Sequence, residues 1–472
     1  MPDPEGSRSS RNALIVAALG TMLSLIAFTT PLSTINATAA SLGADVAGRT
    51  WILSSISIGL AAALLSSGTI ADDFGRRRTF IVGMTVLAAG SVVCALAPHT
   101  LLFVLARVVQ GLGAAAVMAS SLGIIAHVFP AGPARAAASG VWGASVGAGI
   151  AIGPLMSAGF DLATNWRDAY WVLAVAAVAL AVTAQLMVDE SRSDQPRGLD
   201  LWGALLLAAG MSTFLATLVE GRLGWTQPEV FALAIASVVI LTLFVVVESR
   251  AGAPMLELAL LRNSAFAAAT LAAFATGMGI IALLSYMSGF LGTALGITAM
   301  GAALLLLSWS ATSVVTALLA RRIPVHIPGR VQLGIGIIGV GIGQAALVGV
   351  SADSTWLRFL PGLLFAGVAS GVVNAALGRE AVASVPPGRG GMGSGANNTS
   401  RYVGSAIGVT IVAVIASRPG AGSPTQDLVH GWNVAAVVTA AFSIIGGVLV
   451  LACRPRHTPT PELSARMKGS HE

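Results

Sequence analysis

Residues 68–78 read GTIADDFGRRR, a polar and basic interruption between two apolar runs at 49–71 and 79–97. Gly68 and Gly75 permit tight turns, Asp72 can cap a helix end, and Arg76, Arg77 and Arg78 offer partners for carboxylates and helix C-termini. The stretch also reads as an ordinary basic loop on the inner face of a membrane, where Lys and Arg accumulate. Composition alone does not separate the two readings.

Working outward, apolar runs long enough to cross a hydrocarbon core of roughly 30 Å at 1.5 Å per residue recur along the whole chain. Fourteen spans are expected, at 12–34, 49–71, 79–97, 101–126, 134–158, 169–188, 200–219, 229–248, 264–291, 297–320, 330–350, 355–378, 391–417 and 431–452. With 55% apolar and 10% charged residues and a mean hydropathy of +0.84, the 472-residue chain is excluded from the class of soluble domains with an ordinary polar surface. The runs are continuously apolar, without the alternation of barrel strands, so an all-α integral membrane protein is expected. Its 55 glycines suit helices that approach one another closely in lipid, as in GIGIIGVGIGQ at 334–344.

The formal charge of +6 is explained by topology rather than by nucleic acid. Arg76, Arg77, Arg78, Arg135, Arg321, Arg322, Arg330, Arg454 and Arg456 all fall on the side that holds both termini, the pattern of a multi-pass protein with cytoplasmic ends. The first run is too long for a signal peptide. Cys94 and Cys453 are far apart and suggest no disulfide, the six His form no metal-ligand or catalytic pattern, and no phosphate-binding GxxxxGK[ST] loop is present, so an enzyme or ATP-driven reading finds no support.

The runs group as six, two and six: a tail at 1–11, a first six-helix bundle at 12–188, a two-helix linker at 189–262, a second six-helix bundle at 263–452 and a tail at 453–472. LLARRIPVHIPGR at 318–330 is a degenerate echo of the 68–78 loop, as expected of two pseudo-repeats.

Several stretches carry a resemblance. The 68–78 loop resembles the G-x-x-x-D-x-x-G-R-[RK]-[RK] signature of the major facilitator superfamily. In LARVVQGLGAAAVMASS (105–121), Arg107 is a cation inside an uncharged span, costing at least about 2.5 kcal/mol at mid-bilayer unless it faces a cavity or a partner, or snorkels to the interface. R-x-x-Q-G-x-G-A there is similar to the fourth-helix motif of proton-coupled exporters in that superfamily, which implies a proton-coupling role for Arg107 beside Gln110 and Gly111. Pro154 should bend its helix among glycines, and Gly149, Gly153 and Pro154 resemble the superfamily's G-x-x-x-G-P antiporter motif. With NWRDAYWV (165–172), GRLGW (221–225), RAGAPMLELALLRNSAF (250–266) and GGMGSGANNTSRYVGSAIGV (390–409), the chain resembles the fourteen-helix drug:proton antiporter branch over 12–452.

The resemblance implies efflux of amphipathic drugs, antibiotics or secondary metabolites by alternating access, in the cell membrane, powered by the proton gradient with no cofactor or metal. It implies gating by Gly68, Asp72, Gly75, Arg76, Arg77, Arg78, Gly149, Gly153 and Pro154. Polar and aromatic candidates for an apolar cavity are Asn36, Gln110, Trp142, Tyr286, Trp309, Gln344, Asn374, Asn397, Asn398 and Arg401; each also reads as a packing or interhelical hydrogen-bonding residue. The expected partners are a small amphipathic substrate and lipid, with no nucleic acid, and a monomer is expected. One departure stands out: the branch usually carries an Asp in its first span, where this chain has Pro31 before Leu32, Ser33, Thr34, Ile35 and Asn36. No other carboxylate lies at mid-span, so neutral or weakly charged substrates are expected rather than dications. Uptake of a metabolite, or a degenerate transporter acting as a sensor or scaffold, are the competing readings.

Overall fold

The computed structural model describes residues 4–454 except 195, 197, 199, 223, 253, 325 and 417–422. The expected tail beyond residue 454, with Arg456, and the first three residues of the N-terminal tail lie outside the described residues.

Among the described residues every regular element is helical. In chain order they are α1 (Pro4–Thr29), α2 (Pro31–Leu42), α3 (Val46–Phe74), α4 (Arg76–Leu96), α5 (Thr100–Val128), α6 (Pro133–Ala163), α7 (Asp168–Met187) and α8 (Leu201–Gly221). Then follow α9 (Pro228–Arg250), α10 (Ser264–Thr276), α11 (Ala282–Leu295), α12 (Ala299–Leu319), α13 (Gly329–Ala345), α14 (Leu360–Ala383), α15 (Gly390–Ala416) and α16 (Pro424–Ala452). An apolar run in lipid can satisfy its backbone only internally, which is why the runs become helices. Polar side chains mark their starts: Asp45 accepts from the Gly48 amide at 2.7 Å, Asp200 from Gly203 at 2.8 Å, and Ser423 with Gln426 forms a reciprocal cap.

Among the described residues thirteen helical stretches are long and apolar enough to cross a membrane, so the chain is a multi-pass membrane protein. They correspond to all the expected spans except 330–350. There α13 is helical over 17 residues, about 26 Å at the α-helical rise. Its expected end unwinds because Gly349 takes φ +87° and the Asn433 side-chain oxygen accepts from the Gly349 and Val350 amides at 2.8 and 3.0 Å. Two further spans are interrupted. The first breaks at Thr30, ahead of Pro31, and the ninth contains a π-helical turn over Gly277–Ile281 that joins α10 to α11.

Apolar side chains gather around two main centres. One holds Ile52, Phe80, Phe103 and Trp142 from α3 to α6; the other holds Phe290, Trp309, Phe359 and Trp432 from the later helices. A third centre forms where α8 and α9 meet α3 and α15, with Leu207, Met211 and Phe244 against Ile58, Leu65 and Met392. The groups join where α15 packs on α3 and α5, and where α6 packs on α12 and α14. Within their most apolar windows α3 is 78% buried and α9 only 17%, which puts α3 at the axis of the molecule and α9 against lipid.

Candidate functional site

The 68–78 stretch is the turn from α3 into α4, and Gly75 makes it with φ +127°, a conformation that side chains oppose. The Glu190 carboxylate lies over that turn and accepts from the Arg77 and Arg78 amides at 3.1 and 3.2 Å, capping α4. Asp72 reaches the other way. Its Oδ1 accepts from Arg76 Nε and Nη2 at 3.0 and 2.9 Å, and its two oxygens accept from the Gly391 and Met392 amides at 3.1 and 2.9 Å. A carboxylate of α3 thus caps the N-terminus of α15, where the helix dipole favours negative charge. Arg76 Nη2 donates to the Gly388 carbonyl at 2.8 Å, and Arg389 pairs with Asp73 at 2.6 Å. The backbones touch above these bonds: a Cβ on Gly68 would strike the Gly391 carbonyl, and one on Gly391 would lie 2.5 Å from the Gly68 carbonyl. This end of the molecule is closed.

Arg107 on α5 is fully buried. Its Nη1 donates to the Ala27 carbonyl at 2.5 Å and to Gln110 Oε1 at 2.9 Å, and its Nη2 donates to the Phe28 carbonyl at 3.1 Å. The Ala27 acceptor is free because of Pro31. In a continuous helix the Ala27 carbonyl would receive the amide hydrogen of residue 31, which proline lacks. Gln110 is held in turn, its Nε2 donating to Ser91 Oγ at 2.8 Å. Gly149 and Gly153, one turn apart on α6, face the same last turns of α1: their added Cβ atoms would meet Met22, Leu25, Ile26 and Thr29. Pro154 lies inside α6 beside this seam.

Two small chambers open between the helix groups. One, of about 40 Å3, is lined by Phe28 and Leu32 of the first span, Ile150 of α6, Trp309 of α12, and Arg401 and Tyr402 of α15, among others. The second, of about 90 Å3, shares Phe28, Leu32 and Ser285 with the first and extends to Ser54 and Ser57 of α3, Leu215 and Leu218 of α8, and Arg222. Among the described residues neither lining holds an Asp or Glu. Pockets for drug-sized ligands measure roughly 300–1,000 Å3, so neither chamber takes one without widening. At the π-turn Gly277 lets the ninth span lie against the Arg401 carbonyl and the Ser405 amide.

Of the residues singled out from the sequence, Trp309 and Arg401 line the first chamber, and Trp309 Nε1 donates to Ser370 Oγ at 3.2 Å. Asn374 Oδ1 accepts from Arg401 Nη2 at 3.4 Å, one layer behind. The others lie elsewhere. Asn36 accepts from Arg49 at 3.3 Å, Trp142 is buried in the first core, and Tyr286 stacks beside Trp432 with ring centres 6.3 Å apart. Gln344 accepts from Ser443 at 2.6 Å, Asn397 donates to the Ala269 carbonyl at 2.9 Å, and Asn398 to the Ser394 carbonyl at 3.0 Å. The sequence reading missed Glu190, Asp73 with Arg389, and Arg222. The last was quoted inside GRLGW but given no role, and its position at the end of α8 beside a Gly was the available signal.

A polytopic helical membrane protein with small chambers between interlocked helix groups defines the class. The chain belongs to the Major Facilitator Superfamily, whose family profile matches residues 17–409. It is similar to the multidrug resistance protein Stp of Mycobacterium tuberculosis, 30% identical over 370 residues, covering 78% of this chain and 68% of the relative. It is also similar to a probable actinorhodin transporter of Streptomyces coelicolor, 30% identical over 391 residues, covering 80% and 67%. Among solved structures the proton:xylose symporter XylE matches with a TM-score of 0.67 over 95% of this chain and 96% of the other, at 16% identity, a likeness of fold.

Proposed function

We propose that the chain is an exporter of amphipathic drugs, antibiotics or secondary metabolites that works by alternating access in the cell membrane, with both termini cytoplasmic. The observation that carries this reading is the interlock of the 68–78 turn with α15. It closes one end through glycine contacts and a few charge-assisted bonds, a lock that can open as a unit while the helices stay intact. The Gly149–Gly153 seam on α1, where the superfamily's antiporter motif falls, favours export over uptake, and relatives named as multidrug resistance protein and probable actinorhodin transporter agree with it.

The architecture we infer is fourteen spans, with α13 as the remaining one, its 17 residues standing at the lower limit of length for a spanning helix. They divide into six-helix groups at 12–188 and 263–452, with α8 and α9 between them, in a protein that acts as a monomer. The proton gradient is the inferred energy source, without a cofactor. Because Arg107 is held by a carbonyl freed at Pro31, coupling runs through the geometry of that seam rather than through a first-span carboxylate.

The test is accumulation of a panel of fluorescent amphipathic compounds in cells carrying wild type or Arg107→Ala, with and without a protonophore. The expected result is lowered accumulation that both the mutation and the protonophore abolish. Wild type that lowers the accumulation of no compound would sink the export reading, and export indifferent to the protonophore would sink proton coupling.

A further inference from the structure

The chambers carry two cations and no anion. Arg401 is 3% exposed, and among the described residues its Nε has no partner and its one side-chain hydrogen bond is the long 3.4 Å contact to Asn374. Arg222 is partly buried at the other end of the second chamber, where its Nε donates to Thr410 Oγ1 at 3.2 Å and its Nη1 to Ser54 Oγ at 3.3 Å. Both partners are neutral hydroxyls. The carboxylate nearest in sequence, Glu220, is turned away and accepts from Trp51 Nε1 at 2.6 Å. Burial lowers the Arg222 pKa to about 10, so its charge persists at neutral pH.

The two arginines serve adjoining chambers, which share Phe28, Leu32 and Ser285. Arg401 lies one turn from Ser405, which lines the second chamber, and Arg222 bonds to Thr410. Nine residues separate 401 from 410, about 13 Å along α15 at the helical rise. Between them the walls are apolar, from Phe28, Leu32, Leu218 and Val409, with a few hydroxyls. A guanidinium kept in a low-dielectric wall without a counter-charge is costly unless a ligand supplies the charge. The planar fork of Arg suits carboxylates, sulfonates and phosphates in particular.

We propose that the cargo of this transporter is an amphipathic organic anion, whose acidic group is held in the combined positive field of Arg401 in the central chamber and Arg222 in the chamber walled by α8, while its apolar body packs against the apolar walls. This rests on the export reading for its biology, but the binding step stands by itself. It gives α8 a role in recognition, since Arg222 follows directly on its last turn.

Equilibrium binding to the full-length protein in phosphatidylcholine nanodiscs tests this with two probes that share one scaffold: 8-anilinonaphthalene-1-sulfonate and the uncharged N-phenyl-1-naphthylamine, each corrected for empty discs. Wild type should bind the sulfonate at least about tenfold more tightly than the neutral probe. Arg222→Gln and Arg401→Gln should each remove about that factor for the sulfonate and leave the neutral probe within about twofold, with the Lys variants retaining part of it. Ser57→Asp keeps both guanidiniums and adds a carboxylate to the wall; it should weaken the sulfonate alone, which keeps the test sound if an Arg variant fails to fold. Equal affinity for the two probes, or variants that weaken both equally, would overturn the proposal. Loss of the sulfonate preference when phosphatidylglycerol replaces part of the phosphatidylcholine would assign the site to a lipid headgroup and overturn the cargo assignment. Selective sulfonate binding by a protein that exports nothing from cells would defeat the export reading and leave this site standing.

Discussion

Arg107 and Arg401 are both buried cations inside helices of this protein, and their surroundings are opposite. Arg107 spends three donor bonds on two backbone carbonyls and Gln110, and it lines neither chamber. Arg401 has one long bond and lies on a chamber wall. The first guanidinium is a fastener between α5 and the broken end of α1; the second is a group waiting for a partner. A buried charge is therefore read by what its donors reach, and burial by itself does not separate the two uses.

Substitutions can break this contrast. Arg107→Gln should have the largest effect on stability, because the Ala27 and Phe28 carbonyls lose their donor at a cost of about 1–3 kcal/mol for an unsatisfied buried group. The measurement is thermal unfolding of the purified protein, and a variant as stable as wild type would show that those carbonyls are satisfied some other way. Gly68→Ala should come next. The methyl group meets the Gly391 carbonyl, so the closed end opens at a cost of about 1–3 kcal/mol, and a cysteine at Ser394 should label faster with a soluble maleimide. Unchanged labelling would mean that the two helices part without strain.

Asp72→Asn should act in the same direction, through the lost charge on the α15 amides and on the buried Arg76 guanidinium, at a cost of about 1–3 kcal/mol. The same labelling rate reads it, and it should rise above wild type. Arg401→Gln sharpens the comparison from the other side: its unfolding temperature should match wild type, since one weak bond is lost, while acidic cargo is no longer exported. Pro31→Ala should have the smallest effect. It returns an amide donor to the Ala27 carbonyl, competing with Arg107, and is expected to change stability by less than about 1 kcal/mol while altering export. Export identical to wild type would detach the break in the first span from function.

Much of this was legible beforehand because lipid leaves a sequence few options. Continuous apolar runs had to be helices, and the 68–78 turn stood out as the polar interruption whose Gly and Asp could each be given a task. The partners of those residues were not legible. Asp72 caps a helix start more than three hundred positions later, at Gly391 and Met392, and no local pattern announces that. Pro31 looked like the loss of a carboxylate; its positive role, freeing a carbonyl for Arg107, emerges only when α1 and α5 are side by side. The span expected at 330–350 came out shorter because hydropathy does not register an Asn433 side chain capturing two amides from another helix. Arg222 passed for part of a turn since nothing near it in sequence reveals a chamber.

With no carboxylate beside it, Arg401 makes the empty chamber a net positive body inside the membrane's electric field. Carrying one elementary charge across 100 mV is about 2.3 kcal/mol of work, and an interior-negative voltage draws a positive chamber inward. An acidic cargo cancels that charge, so the loaded, outward step feels little of the field while the empty, inward step is pulled by it. Voltage would then set how fast the protein resets between cycles, and a current recorded in the absence of cargo would report the arginine directly.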